Sequence, residues 1–244
     1  MVSSVQEAAN IRVSCWLLAT LLAILWIQSA QLGLSGLLVE KAQREVDRWS
    51  VVARPQPMRE ASRVAGYFSE GLGYAPGNPW ALEGLAALDL ARMRLSKDPA
   101  EALAFTKDAR VRIHEALHQR PTSPFLWANL ALAKLYLDEL DEEFFTALRH
   151  ADELGPWEPG SQQTVLFASL AAWESLNPAQ KRAVGAIVER GEVRNSLKIF
   201  EILKIYRRFD LVCARAGYDA VAGVECRKIS APPKSDPPKT GGRR

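Results

Sequence analysis

The sequence has few of the side chains on which most catalytic sites depend. Its 244 residues include only three cysteines and three histidines. It contains no glycine-rich phosphate loop, no C-x-x-C pair and no G-x-S-x-G turn. The net charge of +3 is small, and no basic stripe alternates with aromatic residues, so binding to nucleic acid is not expected. We therefore expect no catalytic residues and no cofactor.

Alternating apolar and polar residues bounded by hairpin turns, the pattern of β-strands, are also missing. Apolar residues instead recur at the spacing of an α-helix, so that they line one face. One such stripe consists of Ala102, Phe105, Ala109, Ile113, Ala116 and Leu117. The sequence therefore predicts an all-α fold.

Charged residues are absent between Val13 and Val39, and residues 15–27 are almost entirely hydrocarbon. About 20 such residues form a helix that crosses the roughly 30 Å lipid core, and indole rings favour its edges, where Trp16 and Trp26 stand. The apolar stretch is longer than that of a signal peptide, and no A-x-A cleavage site follows it. We predict a short flank (1–12) and an uncleaved single-pass anchor (13–39) in the lipid bilayer.

The charges around this stretch give an ambiguous orientation. Arg12 precedes it, whereas Lys41, Arg44, Arg48 and Arg54 follow it, which by the positive-inside rule keeps the following domain in the cytoplasm. Long domains obey that rule only loosely, however.

The two cysteines outside the anchor, Cys213 and Cys226, allow two interpretations. Twelve residues separate them, and a disulfide between them is compatible with an oxidising compartment. Two buried, unpaired thiols are the alternative. Residues alone leave both the pairing and the side of the membrane open.

The chain after the anchor divides into four predicted segments. Residues 40–57 form a polar helical stalk or linker, which the prolines of RPQP (54–57) end. A helical domain occupies 58–216, and a C-terminal extension occupies 217–229. The Pro/Lys-rich stretch 230–244 has no apolar residues to bury and is expected to be disordered.

The helical domain is repetitive. NPWALEGLAAL (78–88) and SPFLWANLALA (123–133) share a proline start, an aromatic residue directly after it and a Leu-Ala pair. Pro121 and Pro156, each preceded by an alanine five residues earlier, lie 35 residues apart, close to the roughly 34-residue tetratricopeptide period. We therefore predict a tetratricopeptide-like α-solenoid of about three to four helical hairpins.

One short segment suggests a metal site. HEALH matches the zinc-protease pattern H-E-x-x-H, in which His114 and His118 would bind the metal and Glu115 would act as base. A catalytic zinc needs a third ligand, and the next histidine, His150, is 32 residues away. Because Ala116 lies on the apolar stripe and Pro121 ends the helix, we interpret the segment as the end of a repeat's second helix.

The segment Pro121–Leu176 resembles the VpsP-type accessory proteins of bacterial exopolysaccharide biosynthesis. The residues that carry the resemblance are PFLWANLALAK, the acidic turn leading into FFTALRHADELGPWEP, and the later RRFDLVC (Arg207–Cys213). Such proteins have an N-terminal anchor and a tetratricopeptide-like body, without established catalytic residues. The resemblance implies a body on the periplasmic side of the bacterial inner membrane and protein partners in polysaccharide assembly or export. Cys226 and the Pro/Lys tail are particular to this chain.

The expected function is that of a membrane-anchored scaffold or adaptor whose groove binds a protein. The first helix of a tetratricopeptide pair lines the groove, and Asn129, Ala133 and Tyr136 share one face at i, i+4 and i+7. Asn129 is suited either to a partner's backbone or to a bond between helices, and Lys134 beside it is expected to be a solvated charge. The alternatives are an anchored zinc hydrolase and a glycan-binding module.

Overall fold

The computed structural model describes residues 2–52, 57–213, 223 and 226–227, with the side chains of 14–49 in the first helix. All regular structure in these residues is helical, which confirms the predicted all-α class. The α-helices are α1 (Val2–Val52), α2 (Met58–Tyr74), α3 (Pro79–Leu95), α4 (Pro99–Gln119), α5 (Pro124–Tyr136), α6 (Glu142–Leu154), α7 (Pro159–Ala171), α8 (Pro178–Tyr206) and α9 (Asp210–Cys213), with a 3₁₀ turn at Trp173–Ser175.

Prolines and capping side chains set the helix starts. Proline is the first residue of α3, α4, α5, α7 and α8. Its fixed φ suits a helix, and at this position a backbone N–H would have no partner within the helix, so none is lost. In four of these helices the preceding side chain accepts hydrogen bonds from the first turn; these caps are Asn78, Asp98, Ser123 and Asn177. The helix borders are therefore encoded locally.

The helices form four antiparallel pairs in chain order: α1/α2, α3/α4, α5/α6 and α7/α8. Each pair packs on the next, with α2 against α3, α4 against α5, and α7 against both α5 and α6. This succession of hairpins is the solenoid arrangement that the proline repeat predicts.

Helix α1 contains both an apolar segment of membrane-spanning length and a segment that packs in the helical body. One helix in the described part of the chain is long and apolar enough to cross a membrane; it lies within Ser14–Trp49, with a mean hydropathy of 1.7 and no burial of its apolar window. Further along, Ser35 and Ala42 are fully buried. Val39, Val46 and Trp49 pack with Ala42 against α2 and α3. The segment predicted as a stalk is therefore not a free linker, because its helical part belongs to the packed body.

Helix α8 changes direction at Asn195, whose φ of −153° and ψ of 44° are not helical. Beyond this kink its buried residues Ile199, Phe200 and Leu203 join the main core. Ile199 lies against Gly191, where an added Cβ would stand 2.6 Å from the Ile199 side chain and would force that side chain to shift. The second half of α8 consequently folds back over the solenoid.

Candidate protein-binding cleft

A cleft of 720 Å³ lies between α6 and α8, with α7 as its floor. Helix α7 packs against both neighbours, whereas α6 and α8 are linked by the ion pair of Asp152 and Arg190. The lining of α8 includes Ala179 and Ala183, which are exposed and add only a methyl group each. The larger apolar lining residues are Phe145, Leu148, Val165, Leu176, Val184 and Ile187. The cleft is therefore an open and mainly apolar surface between two helices.

The edge of the cleft on α6 is mainly acidic. Four carboxylates, those of Asp141, Glu142, Asp152 and Glu153, line it together with the guanidinium of Arg149. Arg149 forms an ion pair with Glu153 at 3.3 Å. Asp152 is paired with Arg190 from α8. Asp141 is paired with Lys134, so the exposed Glu142 is the carboxylate of this edge best placed to meet a positive side chain of a ligand.

Lys134 fixes the turn that leads into this acidic edge. Its Nζ lies 3.1 Å from Glu139, 3.0 Å from Asp141 and 2.7 Å from Glu143, and its side chain is only 3% exposed. Burial lowers the pKa of Lys134, but the hydrogen bonds that Lys134 donates to Glu143, Asp141 and Glu139 outweigh burial and raise the pKa above its ordinary value. The prediction of a solvated Lys134 is therefore wrong, because the D-E-L-D-E-E turn folds over it.

Two further contacts hold the same turn. Asp141 caps α6 by accepting a hydrogen bond from the backbone of Phe144 at 3.1 Å. Arg110 of α4 binds both oxygens of Glu139, at 2.7 and 2.8 Å. The turn is thus held by contacts to α4, α5 and α6, and these contacts fix the position of the acidic edge of the cleft.

The predicted groove residues of α5 do not form an open binding surface. Ala133 is fully buried, Asn129 is half-buried, and Tyr136 is half-buried under the returning end of α8. Tyr206 packs edge-on against Phe167 at 5.5 Å between ring centroids. Burial, together with the nearby Tyr136, raises the pKa of Tyr206 to about 12. The end of α8 therefore lies near Tyr136, one of the predicted groove residues.

The histidines of HEALH lie apart from the cleft lining. His118 is exposed, and Nε2 of the partly exposed His114 lies 3.6 Å from the carboxylate of Glu143. A zinc site requires at least three protein ligands. Across the described residues, no group of three or more His, Cys, Asp and Glu side chains is arranged to hold a metal ion. His150, the third histidine, stacks on Trp127 at 4.7 Å between ring centroids.

Cys213 and Cys226 are joined by a disulfide in the structure, with their Cα atoms 5.5 Å apart. Cys226 is buried in the main core, as is Val212, the residue before Cys213. Cys15, in α1, is a free and exposed thiol. Of the two interpretations of the cysteines, the structure contains the bridged one.

The cleft cannot be recognised in the sequence because its lining comes from three separate helices. Ala179 and Ala183 lie four residues apart, on the same side of α8 as Val184 and Ile187, but a spacing of four is typical of any packed helix face. The chain matches no family model, and comparisons with curated proteins and with solved structures give no match. The fold and the cleft therefore carry the functional argument.

Proposed function

We propose that the protein is a membrane-tethered adaptor that holds an amphipathic helix of a partner protein in the cleft between α6 and α8. The observation that carries this proposal is the 720 Å³ apolar cleft with an acidic edge. A helix laid along α7 between α6 and α8 would bury its own apolar stripe and complete the layer. A lysine or arginine beside that stripe would face the exposed Glu142.

The tether is the apolar part of α1, which has the length and composition to cross a bilayer. We place the helical body on the oxidising, periplasmic side of a bacterial inner membrane. The Cys213–Cys226 disulfide supports that side, because such bridges persist mainly outside the reducing cytosol. The resemblance to VpsP-type accessory proteins supports the same side, and it makes a component of exopolysaccharide assembly or export the expected partner.

The cleft is tested with a blocking substitution. Ala183→Arg places a long side chain in the cleft while keeping high helix propensity, and Ala104→Arg makes the same change on the exposed face of α4. A photoreactive amino acid in place of Ala179 should crosslink a partner in membranes of the native organism. We expect Ala183→Arg to abolish that crosslink and Ala104→Arg to leave it intact. A crosslink that survives Ala183→Arg would refute the cleft as the binding site.

The orientation is tested separately. Alkaline phosphatase fused after Trp49 is active only when it is exported, so periplasmic placement predicts an active fusion. Thiol labelling of the full chain without a reductant should modify Cys15 and leave the bridged cysteines unmodified. An inactive phosphatase fusion, with activity instead from a cytoplasmic reporter at the same position, would place the body in the cytoplasm.

A further inference from the structure

The exposed aromatic side chains of the helical body lie together at one end. Between residues 57 and 213 four aromatic side chains are exposed: Tyr74 (38%), Trp80 (59%), Phe125 (38%) and Trp157 (48%). Tyr74 ends α2, Trp80 and Phe125 lie in the first turns of α3 and α5, and Trp157 lies between α6 and α7. We call these four residues and the three turns that carry them the aromatic end.

The three turns touch one another and form a continuous surface. The side chain of Gln119, at the end of α4, donates a hydrogen bond to the carbonyl oxygen of Gly77 at 2.5 Å. Pro124, at the start of α5, packs so closely on Gly155 that no Cβ would fit there. Phe125 lies beside Gly160 at the start of α7. The aromatic end therefore extends along the solenoid from its first to its last hairpin.

Helix α1 lies beside the aromatic end at the residues where a membrane-spanning helix would emerge from the lipid core. About 20 residues cross the lipid core, so a span that begins near Val13 ends near Leu32. Gln28, Gln31 and Leu32 lie beside the turn of residues 74–79, and together they line a shallow depression of 520 Å³. Directly after them, Ser35 is buried against the body.

The rest of the body extends away from that level. From Ser35 to Val52 α1 continues for about 25 Å, at roughly 1.5 Å of rise per residue. Helix α2 returns antiparallel along it and ends at Tyr74, which brings the chain back to the aromatic end. The opposite end, where α3 ends and α4 begins, is therefore far from the lipid.

The side chains at the aromatic end suit the polar surface of a membrane. Tryptophan and tyrosine concentrate where lipid meets water, because their rings are apolar while their N–H or O–H remains hydrated. Each exposed indole also has an arginine over its ring: Arg120 lies 3.5 Å from the ring centroid of Trp80, and Arg194 lies 6.0 Å from that of Trp157. The guanidinium of Arg120 is also paired with Glu83, whereas that of the exposed Arg194 can bind lipid phosphate.

We propose that the aromatic end rests on the surface of the bilayer that α1 crosses, with its four aromatic side chains in the headgroup region. This inference depends on the membrane tether of the proposed function. Contact at several turns would hold the body upright on the membrane and keep the cleft between α6 and α8 in one orientation. A body attached by α1 alone would be free to tilt.

The test uses the full chain in lipid nanodiscs that contain phosphatidylethanolamine and phosphatidylglycerol. In a Cys15→Ser background, Trp80→Cys, Trp157→Cys and Trp26→Cys are each labelled with an environment-sensitive fluorophore. Leu103→Cys, at an exposed position near the opposite end of the body, is the matched control. Quenching is measured with nitroxides on the lipid headgroup, with nitroxides on the acyl chain, and with aqueous iodide.

We expect headgroup nitroxides to quench the labels at positions 80 and 157 several-fold more strongly than the label at 103. Quenching of position 26 by acyl-chain nitroxides reports on the tether itself. If position 26 is quenched while positions 80 and 157 behave like position 103, α1 crosses the bilayer but the aromatic end does not rest on its surface, and the inference is refuted. If position 26 is not quenched, both fail. Labels at 80 and 157 that are shielded from lipid nitroxide and from iodide would indicate a protein contact, which also overturns the inference.

Discussion

The side-chain amide of Asn78 donates a hydrogen bond to the hydroxyl of Ser35 across 2.9 Å. Asn78 also caps α3, since its side-chain oxygen accepts from the backbone of Trp80 at 3.0 Å. One side chain therefore starts a helix of the body and fastens that helix to α1. Ser35 is fully buried, whereas Asn78 is partly exposed.

Substitutions of Asn78 should separate its two roles. Asn78→Asp keeps an oxygen for the cap but removes the donor to Ser35, whereas Asn78→Ala removes both. We expect Asn78→Ala to destabilise the protein by about 2 kcal/mol, of which the cap accounts for about 1 kcal/mol. Urea denaturation in detergent micelles, followed by circular dichroism, measures the difference. Equal stability of Asn78→Ala and the wild-type protein would contradict both roles.

Replacement of Lys134 should be among the most damaging single substitutions. Lys134→Met retains the aliphatic part of the side chain but leaves Glu139, Asp141 and Glu143 close together without their cation. Because these carboxylates are 36–56% exposed and Glu139 keeps Arg110, we expect a loss of about 1–3 kcal/mol. Lys107→Met, at an exposed position of α4, is the control and should change the free energy of unfolding by less than about 0.5 kcal/mol. A Lys134→Met protein as stable as the control would show that the cluster is not stabilising.

The packing of α2 on α3 should depend on Gly84. A Cβ on Gly84 would overlap the ring of the fully buried Phe68, so Gly84→Ala should destabilise the protein by about 1–3 kcal/mol. Nothing lies within 4 Å of a Cβ on Gly66, and Gly66→Ala should stabilise α2 by up to about 1 kcal/mol. If the overlap is the cause, Phe68→Leu should recover part of the loss in a Gly84→Ala background. Additive losses in the double variant would rule that cause out.

Asp89 should make stability depend on pH. It is almost fully buried, and its carboxylate lies 3.0 Å from Arg92 and 2.6 Å from Arg112. Burial raises the pKa of Asp89 to about 6, against the lowering effect of the two arginines. An unfolded aspartate titrates near about 3.9, so between about pH 4 and 6 the folded protein retains a proton that the unfolded chain has lost. The contribution of Asp89 to stability therefore falls as the pH rises through this window, by about 3 kcal/mol.

Asp89→Asn removes this titration and provides the reference. The difference in free energy of unfolding, wild type minus Asp89→Asn, should fall as the pH rises from about 4 to 6 and stay constant above it. Urea denaturation at several pH values measures this difference, in which the other titrating groups cancel. A difference that rises with pH would mean that Arg92 and Arg112 outweigh burial and hold the pKa of Asp89 low.

The sequence by itself determined the helical class, the order of the hairpins and the presence of a membrane-length helix. These features depend on neighbouring residues: a cap followed by proline at Asn78 and Ser123, apolar residues at helical spacing along α4, and an uncharged stretch in α1. Such signals act within a few turns of the chain, so they can be recognised without knowing what lies alongside.

The tertiary structure decided which side chains are buried and which helix surfaces remain exposed. Lys134 became buried because three carboxylates close over it, and Tyr136 became covered because α8 turns back at Asn195. The cleft exists because α6 and α8 both pack on α7 and leave an opening between them. The aromatic end exists because three turns contact one another and the first of them lies beside α1. Each depends on contacts between segments distant in the chain, where burial and packing override local preference.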